Sequence, residues 1–121
     1  MKRRQRLSRS RDFDEVYRKG RSVSTRYLVV YSFPRDDDAE SRLGLAVSRK
    51  VGGAVARNRL KRTLRAAFDE LAPGLRRGHD YVLVVRAGLD EAAAARGFGW
   101  LRDQVAEAFR LADAAGHEAP A

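Results

Sequence analysis

Eighteen residues, Ser48 to Arg65 (SRKVGGAVARNRLKRTLR), constrain this chain more than any other stretch. From Ala54 onward the apolar positions Ala56, Leu60, Leu64, Ala67, Phe68 and Leu71 recur at steps of three and four, the period of a helix with one buried face. Such a helix needs a layer to pack on. Seven of the eighteen residues are Arg or Lys, and no Asp or Glu occurs between Arg42 and Phe68. At about 100° per residue, Arg57, Lys61 and Arg65 form a stripe beside the core face, Asn58 and Arg62 lie next round, and Arg59 falls on the far flank. Like charges at this spacing destabilise an isolated helix by roughly a few tenths of a kcal/mol per pair, a cost expected only where an anionic partner offsets it. A merely solvated basic face would interleave carboxylates, which this one lacks. The stripe therefore points to phosphate.

Gly52-Gly53 precedes the helix, where free backbone N–H groups can meet an anion. A plain turn explains the pair equally well, and no GxxxxGK[ST] or GxGxxG pattern surrounds it.

Charge carries the same message at the level of the chain. With 25 Lys and Arg against 16 Asp and Glu, 121 residues carry a formal +9, the balance of a nucleic-acid binder before that of a membrane-surface protein. The length suits one domain with one core. The absence of cysteine excludes a disulfide scaffold, thiol catalysis and Cys-based zinc sites, and suits a reducing cytoplasm. His79 and His117 are too few and too far apart for a His-rich metal site. No apolar run approaches the roughly 18 residues of a membrane span, and no apolar signal segment follows the basic N-terminus. Met1 to Arg11 is Arg/Ser-rich and acid-free like a mitochondrial transit peptide, but the residues after it already read as folded structure.

In order along the chain, residues 1–11 form a basic arm (Lys2, Arg3, Arg4, Arg6, Arg9, Arg11) expected to be mobile until a polyanion orders it. A single domain is expected over 12–115, and a disordered tail over 116–121. Ser10 or Asp12 can cap a helix running to about Lys19, ended by Gly20. Phe13, Val16 and Tyr17 share one face of it; for Phe13 and Tyr17, core packing and stacking on an unpaired base both remain open. Arg21 to Phe33 reads as extended chain, with Tyr27, Val29, Tyr31 and Phe33 on one face and Leu28, Val30 and Ser32 on the other. The polar stretch 34–41 holds Asp36-Asp37-Asp38 and Glu40 and reads as a solvated hairpin loop rather than a metal site. Arg42 to Lys50 reads as a strand whose small residues Gly44, Ala46 and Ser48 leave a trough, open to a nucleic-acid strand or filled by a packed helix. Asp80 to Arg86 is a near-continuous apolar run, the mark of a central strand buried on both faces. The Ala-rich segment 89–96 reads as partly helical, with continuity broken near Gly97 and Gly99. Phe98, Leu101, Val105, Ala108, Phe109 and Ala112 give a last helical stripe, with Trp100 off it. The order α-β-β-β-α-β-α implies an α+β two-layer sandwich, helices mainly on one sheet face and the other partly free to bind.

At this point the residues match a family. Lys50-Val51-Gly52-Gly53-Ala54-Val55-Ala56-Arg57-Asn58-Arg59-Leu60-Lys61-Arg62, following Leu43-Gly44-Leu45-Ala46-Val47-Ser48, resembles the signature of the bacterial ribonuclease P protein subunit, including its Arg-Asn-Arg core. Leu7, Asp12-Phe13, Val16-Tyr17, Gly20 and Tyr31 also fall at the family's spacing, so the resemblance spans Arg6 to Arg110. It implies a ribosomal-protein-like fold with a left-handed β-α-β crossover. It implies too a small cytoplasmic accessory protein, one per catalytic RNA, in a particle that removes the 5′ leader of precursor tRNA using Mg2+ held by the RNA. By the same resemblance Arg57, Asn58, Arg59, Lys61, Arg62 and Arg65 face the RNA subunit. Phe13, Tyr17, Tyr31, Ala46, Ser48, Arg49 and Lys50 line the groove for the leader. Tyr17 stands where relatives often carry a second Phe and keeps a stacking surface; Ala46 replaces a frequent Ser and loses a hydroxyl. No catalytic residue is expected, since the chain has no Cys and no paired His. Two other classes stand beside this reading: a ribosomal or general RNA-binding module, and a metal-dependent nuclease built on Asp36–Asp38.

Overall fold

A computed structural model describes residues 1–117. The elements, in order, are α1 (Ser10–Lys19), β1 (Arg21–Ser24), β2 (Leu28–Pro34), β3 (Arg42–Ala46), α2 (Ala54–Leu71), β4 (His79–Val85), α3 (Leu89–Arg96) and α4 (Phe98–His117). The last helix of the expected order is thus two segments, broken at Gly97, which adopts φ +90°. One four-stranded sheet has the order β1-β2-β4-β3. The apolar run becomes β4, flanked by β2 antiparallel and β3 parallel; strands covered on both faces lose the polar alternation.

One face of the sheet carries α2 and α4. Leu60, Leu64, Ala67 and Phe68 from α2 meet Leu101, Val105, Ala108 and Phe109 from α4 over Leu28, Val30, Leu43, Tyr81 and Leu83, all buried. Ring centroids of Phe109 lie 4.9 Å from Tyr81 and 6.0 Å from Phe68. The opposite face carries α1, whose Val16 joins Leu7 of the N-terminal arm and Val82 in a second, smaller cluster. Gly20 ends α1 where a Cβ would run into the carbonyl oxygens of Val16 and Ser32. Trp100, off the α4 stripe, is half-buried edge-on against Tyr27, with centroids 5.3 Å apart. Among the described residues no helix is long and apolar enough to cross a membrane.

Five expectations need correction. The extended run 21–33 is a hairpin of two strands, turned where the Thr25 hydroxyl and amide both bond around Leu28. The strand from Arg42 stops at Ala46, and Ser48 to Val51 is a turn closed by the Val51 N–H donating to Ser48 O at 3.0 Å. At the start of α1 the cap position is Arg9, with no side-chain cap, so neither Ser10 nor Asp12 fills it; Asp12 lies in the first turn. The basic arm is docked: Leu7 is buried, its N–H donates to Leu43 O at 2.9 Å, Arg6 bridges Leu43, and Arg4 pairs with Glu40 at 3.1 Å. An exposed edge strand offers unpaired backbone groups, and one apolar residue in the arm suffices to seat it there. Finally, α4 takes in Gly116 and His117; the rest of the expected tail, 118–121, lies outside the described residues.

Candidate nucleic-acid interface

Register determines which side chains share the open face. Tyr31 stands opposite Val82, and Val82 opposite Gly44, so the row Val29, Tyr31, Phe33 on β2 faces the same way as Gly44 and Ala46 on β3. α1 lies over part of this face and brings Phe13 and Tyr17, four residues apart, to Tyr31: centroids are 4.9 Å apart for Tyr17–Tyr31, edge to face, and 6.3 Å for Phe13–Tyr17. The two open readings of the aromatic pair separate here. Phe13 is half-buried over Gly44, where an added Cβ would sit 2.6 Å from its ring, so helix packing fills the trough at that point. Tyr17 is 39% exposed and presents a ring to solvent. Burial, then Tyr31 and Asp14, raises the Tyr17 hydroxyl above its ordinary pKa, which keeps it neutral. β3 ends at half-buried Ala46, and after buried Val47 the exposed Ser48, Arg49 and Lys50 follow.

The α2 cations behave as the periodicity requires. Arg57, Lys61 and Arg65 are half-buried beside the core stripe, while Asn58, Arg59 and Arg62 are exposed. Among the described residues none of the five cations forms an ion pair, although Arg35, Arg42, Arg77, Arg102 and Arg110 all do. The Arg57 Nε is buried without a hydrogen-bond partner. Arg59 departs from the group: it borders a separate cleft of about 360 Å³ against α3 and Phe98.

The sequence profile described as Ribonuclease P matches residues 1–112, a span that includes the arm, the aromatic shelf and all of α2. The chain belongs to the Ribonuclease P family. Among curated relatives, the ribonuclease P protein component of Shouchella clausii is 48% identical over 86 residues, covering 71% of this chain and 70% of the relative. That of Bacillus pumilus is 41% identical over 91 residues, covering 75% and 76%. Among solved structures, the RNase P protein from Thermotoga maritima superposes with a TM-score of 0.79 at 34% identity, covering 86% of this chain and 94% of that one.

One cluster in this Ribonuclease P family member escaped sequence reasoning. Asp80, 4% exposed at the start of β4, accepts 2.6 Å from Arg35 Nη1 and is held two-pronged by Arg42, at 2.8 Å through Nε and 2.7 Å through Nη2. Arg35 also grips Asp37 and donates to the carbonyls of His79 and Glu40. An acid opening an otherwise apolar strand was the available signal, since a buried carboxylate needs paired cations. Hydrogen bonding to Arg35 and to the Ala39 amide holds the Asp37 carboxyl below the usual carboxylate range. That carboxylate is engaged in tying down the acidic loop, and among the described residues no group of three or more His, Asp or Glu is placed to hold a metal ion.

Proposed function

We propose that this chain is the protein subunit of ribonuclease P, holding the catalytic RNA through α2 and the 5′ leader of precursor tRNA on the aromatic shelf. The observation that carries the reading is the α2 stripe: five cations with no counter-ion among the described residues, joined through the Ser48–Val51 turn to an open sheet face where Tyr31 meets Tyr17 of α1. Arg57, Asn58, Lys61, Arg62 and Arg65 contact the RNA subunit, and Arg59 reaches it from the far flank. Phe13 supports Tyr17 and Tyr31, on which leader bases stack, while Ala46, Ser48, Arg49 and Lys50 follow the leader backbone.

The protein supplies electrostatics and position, and the RNA supplies the chemistry with its own Mg2+. Cations laid between two polyanions screen their repulsion, so less free Mg2+ is needed to bring catalyst and substrate together. If six phosphates are neutralised, affinity falls by roughly three orders of magnitude between about 50 and about 200 mM salt. One protein per RNA, in the cytoplasm, completes the reading.

The test is cleavage of 5′-labelled precursor tRNA at low Mg2+ by protein alone, bacterial ribonuclease P RNA alone, and both together. Activity confined to the mixture, with a mature 5′ end, is the expected result. Equal rates with and without protein would leave a general RNA binder. Cleavage by the protein alone would instead favour the metal-dependent nuclease.

A further inference from the structure

Arg59 leads to a site that the rest of the α2 stripe does not account for. The cleft of about 360 Å³ that it borders has Arg59 and Leu60 of α2 on one wall, and Asp90, Phe98 and Leu101 of the α3–α4 corner on the other. That volume falls at the small end of the roughly 300 to 1,000 Å³ typical of ligand pockets. Ala93 and Ala94 give the cleft its depth, and the break at Gly97, with φ +90°, sets Phe98 at its mouth. Leu60 and Leu101 are buried, while Phe98 leaves 37% of its surface exposed, so an apolar floor meets an open aromatic ring. The two charges on the walls are unused. Among the described residues neither Arg59 nor half-buried Asp90 enters an ion pair, although Glu70 of α2 and Arg102 of α4 pair with each other at 3.2 Å. An ionised carboxylate only accepts hydrogen bonds, so whatever fills the Asp90 end of the cleft must donate them.

We propose that this cleft holds one unpaired guanine base of the bound RNA subunit, with Asp90 accepting from its N1–H and N2–H groups, Phe98 against its ring and Arg59 on its phosphate. A flat body with apolar faces and a polar edge suits the cleft, and proteins that read RNA by sequence take bases splayed out of single-stranded segments in this way. The acceptor selects the base. Guanine alone carries two adjacent N–H donors on its Watson–Crick edge, matching the two carboxylate oxygens. Adenine and cytosine set one donor beside an acceptor nitrogen, and the single donor of uracil lies between carbonyls that would face the carboxylate. The aromatic shelf lies on the opposite face of the sheet, so the base comes from the RNA held by α2 and not from the leader. Its assignment to ribonuclease P RNA rests on the function proposed above; the guanine chemistry does not.

Two measurements test the site and its assignment separately. In the first, the free protein is titrated with each of the four ribonucleoside 5′-monophosphates while backbone amides are followed by NMR. Guanosine monophosphate should shift the Ala93, Ala94 and Gly97 amides with a Kd of about 1 to 10 mM, about fivefold or more tighter than the other three. Asp90→Asn, which places a donor where an acceptor is needed, should abolish that preference. Glu91→Gln, which removes the same charge from the exposed neighbouring position, should leave it intact. Arg59→Ala should weaken all four nucleotides alike, because a phosphate contact carries no base information. Equal shifts from all four, a preference that survives Asp90→Asn, or no shift of these amides would each overturn the site. In the second, the affinity for bacterial ribonuclease P RNA is measured against salt. Asp90→Asn should weaken it about tenfold, the scale of charge-assisted contacts to one base, at an unchanged salt slope, and Glu91→Gln should not weaken it. An Asp90-dependent guanosine preference with no loss of affinity for this RNA would overturn the placement of the base in the RNA subunit. If the unaltered protein fails to prefer this RNA over another of equal length, the functional reading falls and the guanine site stands on the first measurement.

Discussion

Asp80, Tyr17 and Phe13 show how differently single residues can sit around one face. Asp80→Asn keeps the shape but leaves Arg35 and Arg42 facing a neutral amide. Removing one member of a buried ion pair costs about 3 to 5 kcal/mol, and the lower end applies because Arg42 is 31% exposed; urea unfolding measures the loss. Tyr17→Ala should weaken binding of leader-bearing precursor tRNA to the reconstituted particle by about 1 to 3 kcal/mol with little change in stability, and Tyr17→Phe should retain most of the affinity. Phe13→Ala should lose stability as well as affinity, because its ring packs on Gly44 and beside Leu7. Sequence alone left both aromatics undecided. Helical spacing gives a shared face but not what covers it, and the covering residue at Phe13 is a glycine on a strand thirty-one positions away.

Among the elements, α2 and β4 were legible because each carries a long, consistent pattern: a six-position apolar stripe in one, an unbroken apolar run in the other. Leu64→Ala tests that reading of α2, since a fully buried Leu on the stripe should cost about 2 to 5 kcal/mol in unfolding experiments. Arg62→Ala, on the exposed side, should leave stability unchanged and lower the slope of log K against log salt for RNA by about 0.7 to 0.9. The boundaries that failed are those decided by backbone hydrogen bonds that the side-chain pattern does not encode. The turn after Ser24 interrupts an otherwise extended run, and the Ser48–Val51 turn ends β3 although alternation continues past it. The docking of the arm depends on β3 being an edge, a property of sheet order rather than of either segment. The acidic loop adds a pH dependence. The depressed pKa of Asp37 means that its tether to Arg35 contributes fully above the ordinary carboxylate range, about 4, and is lost only as pH falls through the lower folded value. Exchange of the Ala39 amide, which donates to Asp37, should therefore stay flat from neutral pH down to about 4, after allowance for its intrinsic rate, and rise below that.

At the scale of the molecule, charge is polarised along the sheet. Register puts Asp36 to Asp38 beyond the Phe33–Asp80 end of β2 and β4, while Ser48 to Lys50 leave β3 at the Ala46–Val84 end, with Arg26 and Arg86 on the turns there. An RNA strand laid on the open face, as proposed, would therefore be repelled at one end and attracted at the other, which favours one placement over its slipped or reversed alternatives. Within the loop Asp37 holds Arg35, but Asp36 is exposed and Asp38 reaches Arg77 only at 3.8 Å, so both are available to the field. Replacing Asp36 and Asp38 together with Asn removes two negative charges without touching the Arg35–Asp80 network. Affinity for an unrelated single-stranded RNA should then rise several-fold at low salt, about 50 mM, and the gain should shrink near 200 mM, where screening acts within about 7 Å. Preference for precursor over mature tRNA in the reconstituted particle should fall, because the added affinity is blind to the leader. A rise in both affinities with undiminished preference would mean that placement comes from the aromatic shelf alone, and that the acidic end serves only the hairpin it closes.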